Sequence, residues 1–405
     1  MPRLTAAAPA KAPLPLGVRV LAAGTFLMGT TEFVVAGLLP ELATDFGTSE
    51  AGAGLTITVF AIGMILGAPA VPLLTLRLPR RATLVLSLAL YSAAHVIAAL
   101  TRSLPVLLAA RFGAGVATGS FWALAAVAAA GLVGPQRRST ALGVVLGGGM
   151  LANVVGVPLG AVCGQLIGWR APFWGLATLA AVAAVAVARW VPGQPAHSPI
   201  PSLRSELGSL QSGRLWLVLA TCAAVTASVL SVYSFVSPVL VGRAGMPASM
   251  VPLTLALFGA GAFVGNIMGG RLGDRHGLAV AAATAVAILI ATITLCVFST
   301  MVVPSLVAFA LLGLVGLSAN PVLVALALRY GGDDLTLPSA MSTSMFNLGT
   351  AVGTGLTGVL LGTPLGSLSP PLVGVVFAAL ILVPVCALQV VHTRCEGADV
   401  IARCP

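Results

Sequence analysis

Long apolar stretches broken by short polar punctuation run through almost the whole chain. Reading the stretches and their breaks predicts helical spans at about 18–40, 52–74, 82–100, 105–133, 140–163, 172–191, 215–238, 251–270, 278–299, 304–328, 341–362 and 371–392. Each is near the roughly 20 apolar residues that carry a helix across a hydrocarbon layer about 30 Å thick. The pattern therefore predicts an all-α membrane protein of 12 transmembrane helices, and an even number of spans puts both termini on one side. The first stretch, Val20 to Pro40, follows Arg3, Lys11 and Arg19, as a secretory signal core would. It is too long for such a core, contains Glu32 and has no clear small-residue cleavage site, so it is expected to be a retained span.

Composition agrees with that picture: of 405 residues 58% are hydrophobic and 7% charged, with a mean hydropathy of +1.08, against about 25% charged residues in an ordinary soluble domain. A net charge of +10 in a soluble protein would suggest a nucleic-acid partner. Here the arginines sit in short loops and report topology instead, so no nucleic acid is expected. With the N-terminus inside, the cytoplasmic segments hold Arg3, Lys11, Arg19, Arg77, Arg80, Arg81, Arg137, Arg138, Arg189, Arg204, Arg214, Arg271, Arg275, Arg329, Arg394 and Arg403, while the opposite loops hold Arg102, Arg170 and Arg243. The expected place is the cell (inner or plasma) membrane, multi-pass, with both termini cytoplasmic. Cys163, Cys222, Cys296 and Cys386 lie in apolar stretches and only Cys395 and Cys404 in the polar tail, so neither a disulfide framework nor a metal site is expected.

The longest polar stretch, 193–213, is rich in Pro and Ser and separates six spans from six. It divides the chain into an N-terminal tail (1–17), a first six-helix half (18–192), a linker (193–213), a second half (214–393) and a C-terminal tail (394–405). A shift of 198 residues lays Gly67 on Gly265, Leu76 on Asp274 and Arg77 on Arg275, each just after the second span of its half. Duplication of a six-helix unit accounts for this and fits parallel repeats around a midplane cavity.

Several segments carry a family resemblance. GGRLGDRHG (269–277), between spans eight and nine, resembles the loop signature of the major facilitator superfamily, and LTLRLPRR (74–81) looks like a variant of it. ARFGAGVATG (110–119) resembles that family's membrane-embedded arginine motif. GGGMLANVVGVPLG (147–160) with GWR (168–170) resembles its antiporter motif, here in Gly149, Asn153, Gly156, Pro158 and Gly160. MGTTEFVVAGLLPELATDF (28–46) is similar to the start of proton-coupled drug and sugar exporters, most of all actinobacterial chloramphenicol exporters and arabinose-type efflux permeases. The resemblance implies the major facilitator fold and cytoplasmic gate loops built on Arg77, Arg80, Arg81, Gly270, Asp274 and Arg275. The chain departs from the pattern where Leu76 replaces the first loop's acid, and where Val157 separates Gly156 from Pro158.

Sorting the ionisable residues leaves three inside spans: Glu32 is the only carboxylate there, Arg111 the only guanidinium and His95 the only imidazole. At about 1.5 Å per residue all three fall at similar depth, slightly outside the midplane. A lone charge there costs at least about 2.5–3.5 kcal/mol on insertion scales, so such groups face a cavity or a partner. Glu32 is the candidate for proton coupling or cargo contact, with Arg111 modulating its protonation; the competing reading makes it a static partner of helix ends or of Thr30 and Thr31. Arg111 has snorkelling to the surface as its alternative, and His95 that of a packed neutral imidazole. Span five's glycines and Pro158 predict a bend or close helix packing. Phe60, Trp122, Tyr233 and Phe346 are candidate aromatic walls, and Asn266 and Asn347 candidate polar lining. GTGLTG (353–358) matches a dinucleotide fingerprint but sits in a membrane helix and reads as a packing face.

The only lysine is Lys11, so no phosphate-cradling loop of an ATP-driven pump is present. Three scattered ionisable groups do not make a catalytic cluster, so no enzyme is expected, and duplicated halves with gate loops disfavour a channel. The remaining class is a secondary transporter that needs no cofactor. It is expected to be monomeric in the lipid bilayer, with a small-molecule cargo and protons as its partners. The first expectation for cargo is a mostly apolar antibiotic of the chloramphenicol type leaving by proton antiport; the alternative is a sugar or metabolite efflux permease of the arabinose type.

Overall fold

The computed structural model describes residues 14–75, 78–133, 137–193, 211–331 and 337–401. Hydrocarbon offers the backbone no hydrogen bonds, so each apolar stretch closes its own as a helix. Among the described residues twelve helices have the length and composition to cross a membrane: spans 1 to 6 are Leu16–Gly37, Glu50–Pro72, Arg80–Leu100, Leu104–Gly131, Thr140–Ile167 and Arg170–Trp190, and spans 7 to 12 are Gly213–Ser234, Ala248–Gly273, His276–Val297, Val302–Gly331, Ala340–Leu361 and Gly366–Val391.

Four departures from the expected boundaries have local causes. Span 1 is α-helical over Leu16–Val34, tightens to a 3-10 turn over Val35–Gly37 and gives way to a separate helix, Leu39–Asp45, with Pro40 in its first turn. There the missing N–H of proline costs nothing. The segment 269–277 is not an open loop: helix continues to Gly273, and the break is concentrated at His276 (φ −139°, ψ 49°). Span 10 is split into Val302–Gly316 and Asn320–Gly331, just before Pro321. Span 5 contains a π-helical turn over Ala152–Gly156, immediately ahead of Pro158. Leu76, Arg77 and nearly all of the linker lie outside the described residues, as do the side chains of Asp274 and Arg275.

Spans 1–6 and 7–12 repeat one arrangement. Spans 2 and 4 pack face to face, as do 8 and 10; 3 lies on 6 as 9 lies on 12; and 1 touches 5 and 6 as 7 touches 11 and 12. Individual contacts recur as well. Gly115 rests on the Phe60 carbonyl and, 198 residues on, Gly313 rests on that of Phe258. Gly148 lies on Ala22 and Thr25 as Gly349 lies on Ala223 and Thr226, 201 residues on. In the same register the Thr25 hydroxyl donates to Val145 O (2.6 Å) and the Thr226 hydroxyl to Phe346 O (2.7 Å). Small residues and hydroxyl-to-carbonyl bonds of this kind hold helices together where burial of apolar surface gives no advantage over lipid. The outward faces carry Leu66, Val185, Ile290, Val303 and Val359, all largely exposed, as a lipid-facing surface requires.

The two six-helix halves meet through span 2 against span 11 and span 5 against span 8. Their closest approaches lie towards the face that carries the 1–2 loop, opposite the face where span 1 begins. Gly54 meets the Phe235 ring, Gly37 meets Leu255, and Gln165 Nε2 donates to Ala248 O (3.0 Å). Deeper in, the Thr354 hydroxyl donates to Thr350 O (2.7 Å), so it accepts from Thr58 Oγ1 at 2.8 Å across the interface. Span 5 touches span 8 mainly along Ala152–Ile167 and largely parts from it along Arg138–Leu151. The halves are therefore closed together at the 1–2 loop face.

Candidate functional site

The end of the α-helical part of span 1 organises the site. Thr31 and Glu32 are successive on a helix and so point about 100° apart. Thr31 turns into its own half, fully buried, while Glu32 turns to the interface between halves. The change to a 3-10 turn at Val35 falls where Thr31 would otherwise have an i+4 partner for its carbonyl, and a side chain from span 4 takes that acceptor.

That side chain is Arg111, only 1% exposed. Its Nη2 donates to Thr31 O (3.2 Å), Nη1 to Thr31 Oγ1 (2.8 Å) and Nε to Thr56 O of span 2 (3.3 Å). The guanidinium also lies 4.2 Å from the Phe60 ring centroid. A cation is accommodated there by the Thr31 carbonyl at the negative end of the span 1 helix dipole, by the Thr56 carbonyl and by an aromatic face. Among the described residues it makes no ion pair with Glu32.

His95 of span 3 completes the cluster. Its Nδ1 lies 2.8 Å from Tyr91 O and its Nε2 2.7 Å from Thr31 Oγ1. A carbonyl only accepts, so Nδ1 carries a proton, and the neutral form of such a ring accepts the Thr31 hydroxyl at Nε2. The imidazole is stacked on Tyr91 (centroids 3.9 Å apart) and tilted against Phe173, and Tyr91 donates to Leu27 O (2.8 Å). Arg111 and His95 thus converge on Thr31 rather than on Glu32. Sequence reasoning named Thr31 only as a candidate partner of Glu32; its one signal was its place beside that carboxylate.

Glu32 lines a cleft between the halves with Phe33, Ala36, Ile57, Phe60 and Ala61 on one side and Leu230, Tyr233, Ser234, Asn347 and Thr350 on the other. Empty space there amounts to about 290 Å³, narrowed in this closed arrangement to room for about one water molecule. Glu32 is partly exposed and makes no hydrogen bond within the described residues, so neither Thr30 nor Thr31 serves as its partner: Thr30 donates to Phe26 O instead. Behind the cleft Tyr233 packs edge-on to Phe33 and against Phe258 and Phe309, an aromatic wall built by the second half.

The other expected residues divide by position. Phe60, Tyr233 and Asn347 reach the cleft, Asn347 with its Nδ2 donating to Thr343 O (3.0 Å). Phe346 gives its backbone carbonyl to Thr226 and Thr350, and Asn266 is not part of the lining. Trp122 lies outside the cleft with its ring edge on Gly149, and its indole N–H is buried without a partner among the described residues. The span 5 residues form a seam along span 1: Gly156 faces Thr30, Gly160 faces Val34, and Ala152 sits on Gly29, while the Asn153 carbonyl meets Gly259 of span 8. Pro158 follows the π-helical turn. Of the gate-loop residues, Arg80 opens span 3, Arg81 Nη1 reaches Ala188 O of span 6 (3.4 Å) and Gly270 lies by Pro321 of span 10.

Two like six-helix halves enclosing a cleft with a single carboxylate define a membrane carrier, and the comparisons with known proteins agree. Residues 21–327 match the Major Facilitator Superfamily, and the chain belongs to that family. It is 34% identical over 389 residues to a chloramphenicol resistance protein of Streptomyces lividans, covering 95% of this chain and 99% of that one. It is 29% identical over 377 residues to the inner membrane transport protein YdhP of Escherichia coli O157:H7 (93% and 97% covered). It is 31% identical over 345 residues to the putative transporter AraJ of Escherichia coli strain K12 (84% and 86% covered). Members of this family carry small molecules across membranes, and this chain is a multi-pass membrane protein of that kind.

Proposed function

We propose that the protein exports a small, mostly apolar antibiotic of the chloramphenicol type in exchange for protons. In this reading it works as a monomer in the plasma membrane with both termini cytoplasmic, and the closed 1–2 loop face is the external one. The observation that carries the proposal is the Glu32 carboxylate, the one carboxylate lining the cleft between halves, which makes no hydrogen bond or ion pair among the described residues. A carboxyl group in that position binds and releases a proton without first breaking a fixed partnership. The cleft is walled by Phe33, Phe60, Leu230 and Tyr233, with Ser234, Asn347 and Thr350 as its neutral polar groups. Such a lining suits a neutral aromatic cargo with a few polar substituents. The likeness to a chloramphenicol resistance protein along nearly the whole of both chains supports the same cargo.

The test is a susceptibility panel in a drug-sensitive host, with and without a protonophore. Expression is expected to raise the inhibitory concentration of chloramphenicol in a protonophore-sensitive way, and Glu32→Gln is expected to cut proton-driven export by roughly tenfold or more. Wild-type export by Glu32→Gln overturns the coupling role. Protection against sugars or unrelated metabolites alone, the behaviour of an arabinose-type efflux permease, overturns the cargo.

A further inference from the structure

The Arg111 guanidinium is a buried cation bonded to Thr31, the residue next to the cleft carboxylate Glu32, yet among the described residues it makes no ion pair with that carboxylate. Three of its five N–H groups go to Thr31 O, Thr31 Oγ1 and Thr56 O, so each guanidinium nitrogen has an acceptor. We infer that Thr31 is a positioning residue for proton exchange: by taking the Arg111 guanidinium onto its own hydroxyl and carbonyl it holds that cation off the neighbouring Glu32. This rests on Glu32 being the proton-exchanging group.

The hydrogen-bond directions make the arrangement specific. A threonine hydroxyl has one proton to give. His95 donates through Nδ1 to Tyr91 O, which leaves Nε2 as an acceptor, and the Thr31 proton goes there. The Thr31 oxygen is then left with lone pairs alone for Arg111 Nη1. The order is Arg111 to Thr31 to His95 to Tyr91 O, and the ring of His95 sets the direction of the hydroxyl without exchanging a proton itself.

Removing the hydroxyl leaves a buried guanidinium N–H without a partner, and in low dielectric such a donor seeks the nearest acceptor of opposite charge. That acceptor is the Glu32 carboxylate, one residue along the same helix. An Arg111–Glu32 ion pair would keep the carboxylate ionised and remove it from exchange. The titratable groups around Glu32 are otherwise few among the described residues: His95 and Tyr91 of span 3 stand behind Thr31, and Tyr233 of span 7 lines the cleft. Spans 2 and 11 bring only neutral groups, Phe60, Asn347 and Thr350.

The experiment uses full-length protein in lipid vesicles with two measurements. Infrared difference spectra between acid and neutral pH report carboxyl protonation, the Glu32 band being the one absent from Glu32→Gln. Flux assays compare proton-driven chloramphenicol transport with gradient-free exchange of labelled for unlabelled chloramphenicol. Wild type and Thr31→Ser are expected to have the Glu32 band and full proton drive. Thr31→Val is expected to lose the band over the same pH range and to lose roughly tenfold in proton-driven transport, with gradient-free exchange changed by no more than about twofold. Thr31→Val/Arg111→Gln is expected to regain the band, because the cation that captured the carboxylate is gone. The inference is overturned if Thr31→Val keeps the band and the drive, if Thr31→Ser loses them, or if the band stays lost in the double variant, which would mean that Thr31 acts by packing. If Glu32→Gln alone loses no band and exports at the wild-type rate, the reading of Glu32 falls instead, and that result is seen without any change at Thr31.

Discussion

At the scale of single residues, placement in the membrane decides what a charge can do. Arg111 and Asp45 illustrate the two extremes. Arg111 is held in the dry interior by two carbonyls, a hydroxyl and a ring, so its fork of donors is used in several directions at once, which a lysine could not reproduce. Asp45 sits at the 1–2 loop face, where its Oδ2 is 2.9 Å from Arg170 Nη2, and the Arg170 and Asp45 side chains are 34% and 39% accessible. Arg170 holds the Asp45 carboxyl below the usual carboxylate range, first through its hydrogen bond and then through its charge. A carboxyl with a depressed folded-state value adds stability above its unfolded value, near 3.9, and loses that contribution as the pH falls through the folded one. Asp45→Asn is therefore expected to lower stability by no more than about 1 kcal/mol at neutral pH, as exposed pairs do. In thermal unfolding of the purified protein that difference should shrink as the pH drops below about 4. A difference that stays constant into acid would exclude the ion pair as its source.

At the scale of elements, span 5 gathers the functions of packing and contact between halves. Gly148, Gly156 and Gly160 are met by span 1 and Gly149 by Trp122, so these small residues bring span 5 against the helix that carries Glu32. The π-helical turn Ala152–Gly156 pushes the Asn153 backbone outwards to the other half, where Gly259 admits it. Single π turns often mark functional sites because they displace backbone groups from the regular ladder. A methyl at Gly259 would fall on the Asn153 carbonyl, and two main chains would have to move apart to make room. Gly259→Ala is expected to lengthen the distance between spin labels on spans 5 and 8 and to slow transport. Unchanged distances would argue that this contact does not govern how the halves meet.

For the whole molecule, closure at the 1–2 loop face depends on few polar contacts: Thr58 to Thr354 and Gln165 to the Ala248 carbonyl, set among apolar ones such as Phe235 on Gly54. Hydrogen bonds between membrane helices contribute on the order of 0.6 kcal/mol each. Breaking both with Thr58→Val and Gln165→Leu is thus expected to shift the balance between closed and open forms of that face by several-fold rather than abolish closure. Spin-label distances between spans 2 and 11 would measure it, and an unaltered distribution would place the closure in the apolar contacts alone.

Twelve spans, their even count and the duplication were legible in the sequence because lipid imposes a long apolar run on every helix that crosses it. The 198-residue shift reappears as Gly115 on Phe60 and Gly313 on Phe258. Glu32, Arg111 and His95 stood out for the same reason, since hydrocarbon makes a span's ionisable side chains rare. Their pairing did not follow from depth alone. Residues at one depth on different helices meet or miss according to helix rotation and to where a helix changes pitch, and both are set by packing. Only the tertiary structure turned Glu32 to the cleft and Thr31 to Arg111 and His95, placed Trp122 outside the cleft, and split span 10 at Asn320. The bilayer determines which residues a span is able to carry; the neighbours that each side chain touches are settled by the other eleven helices.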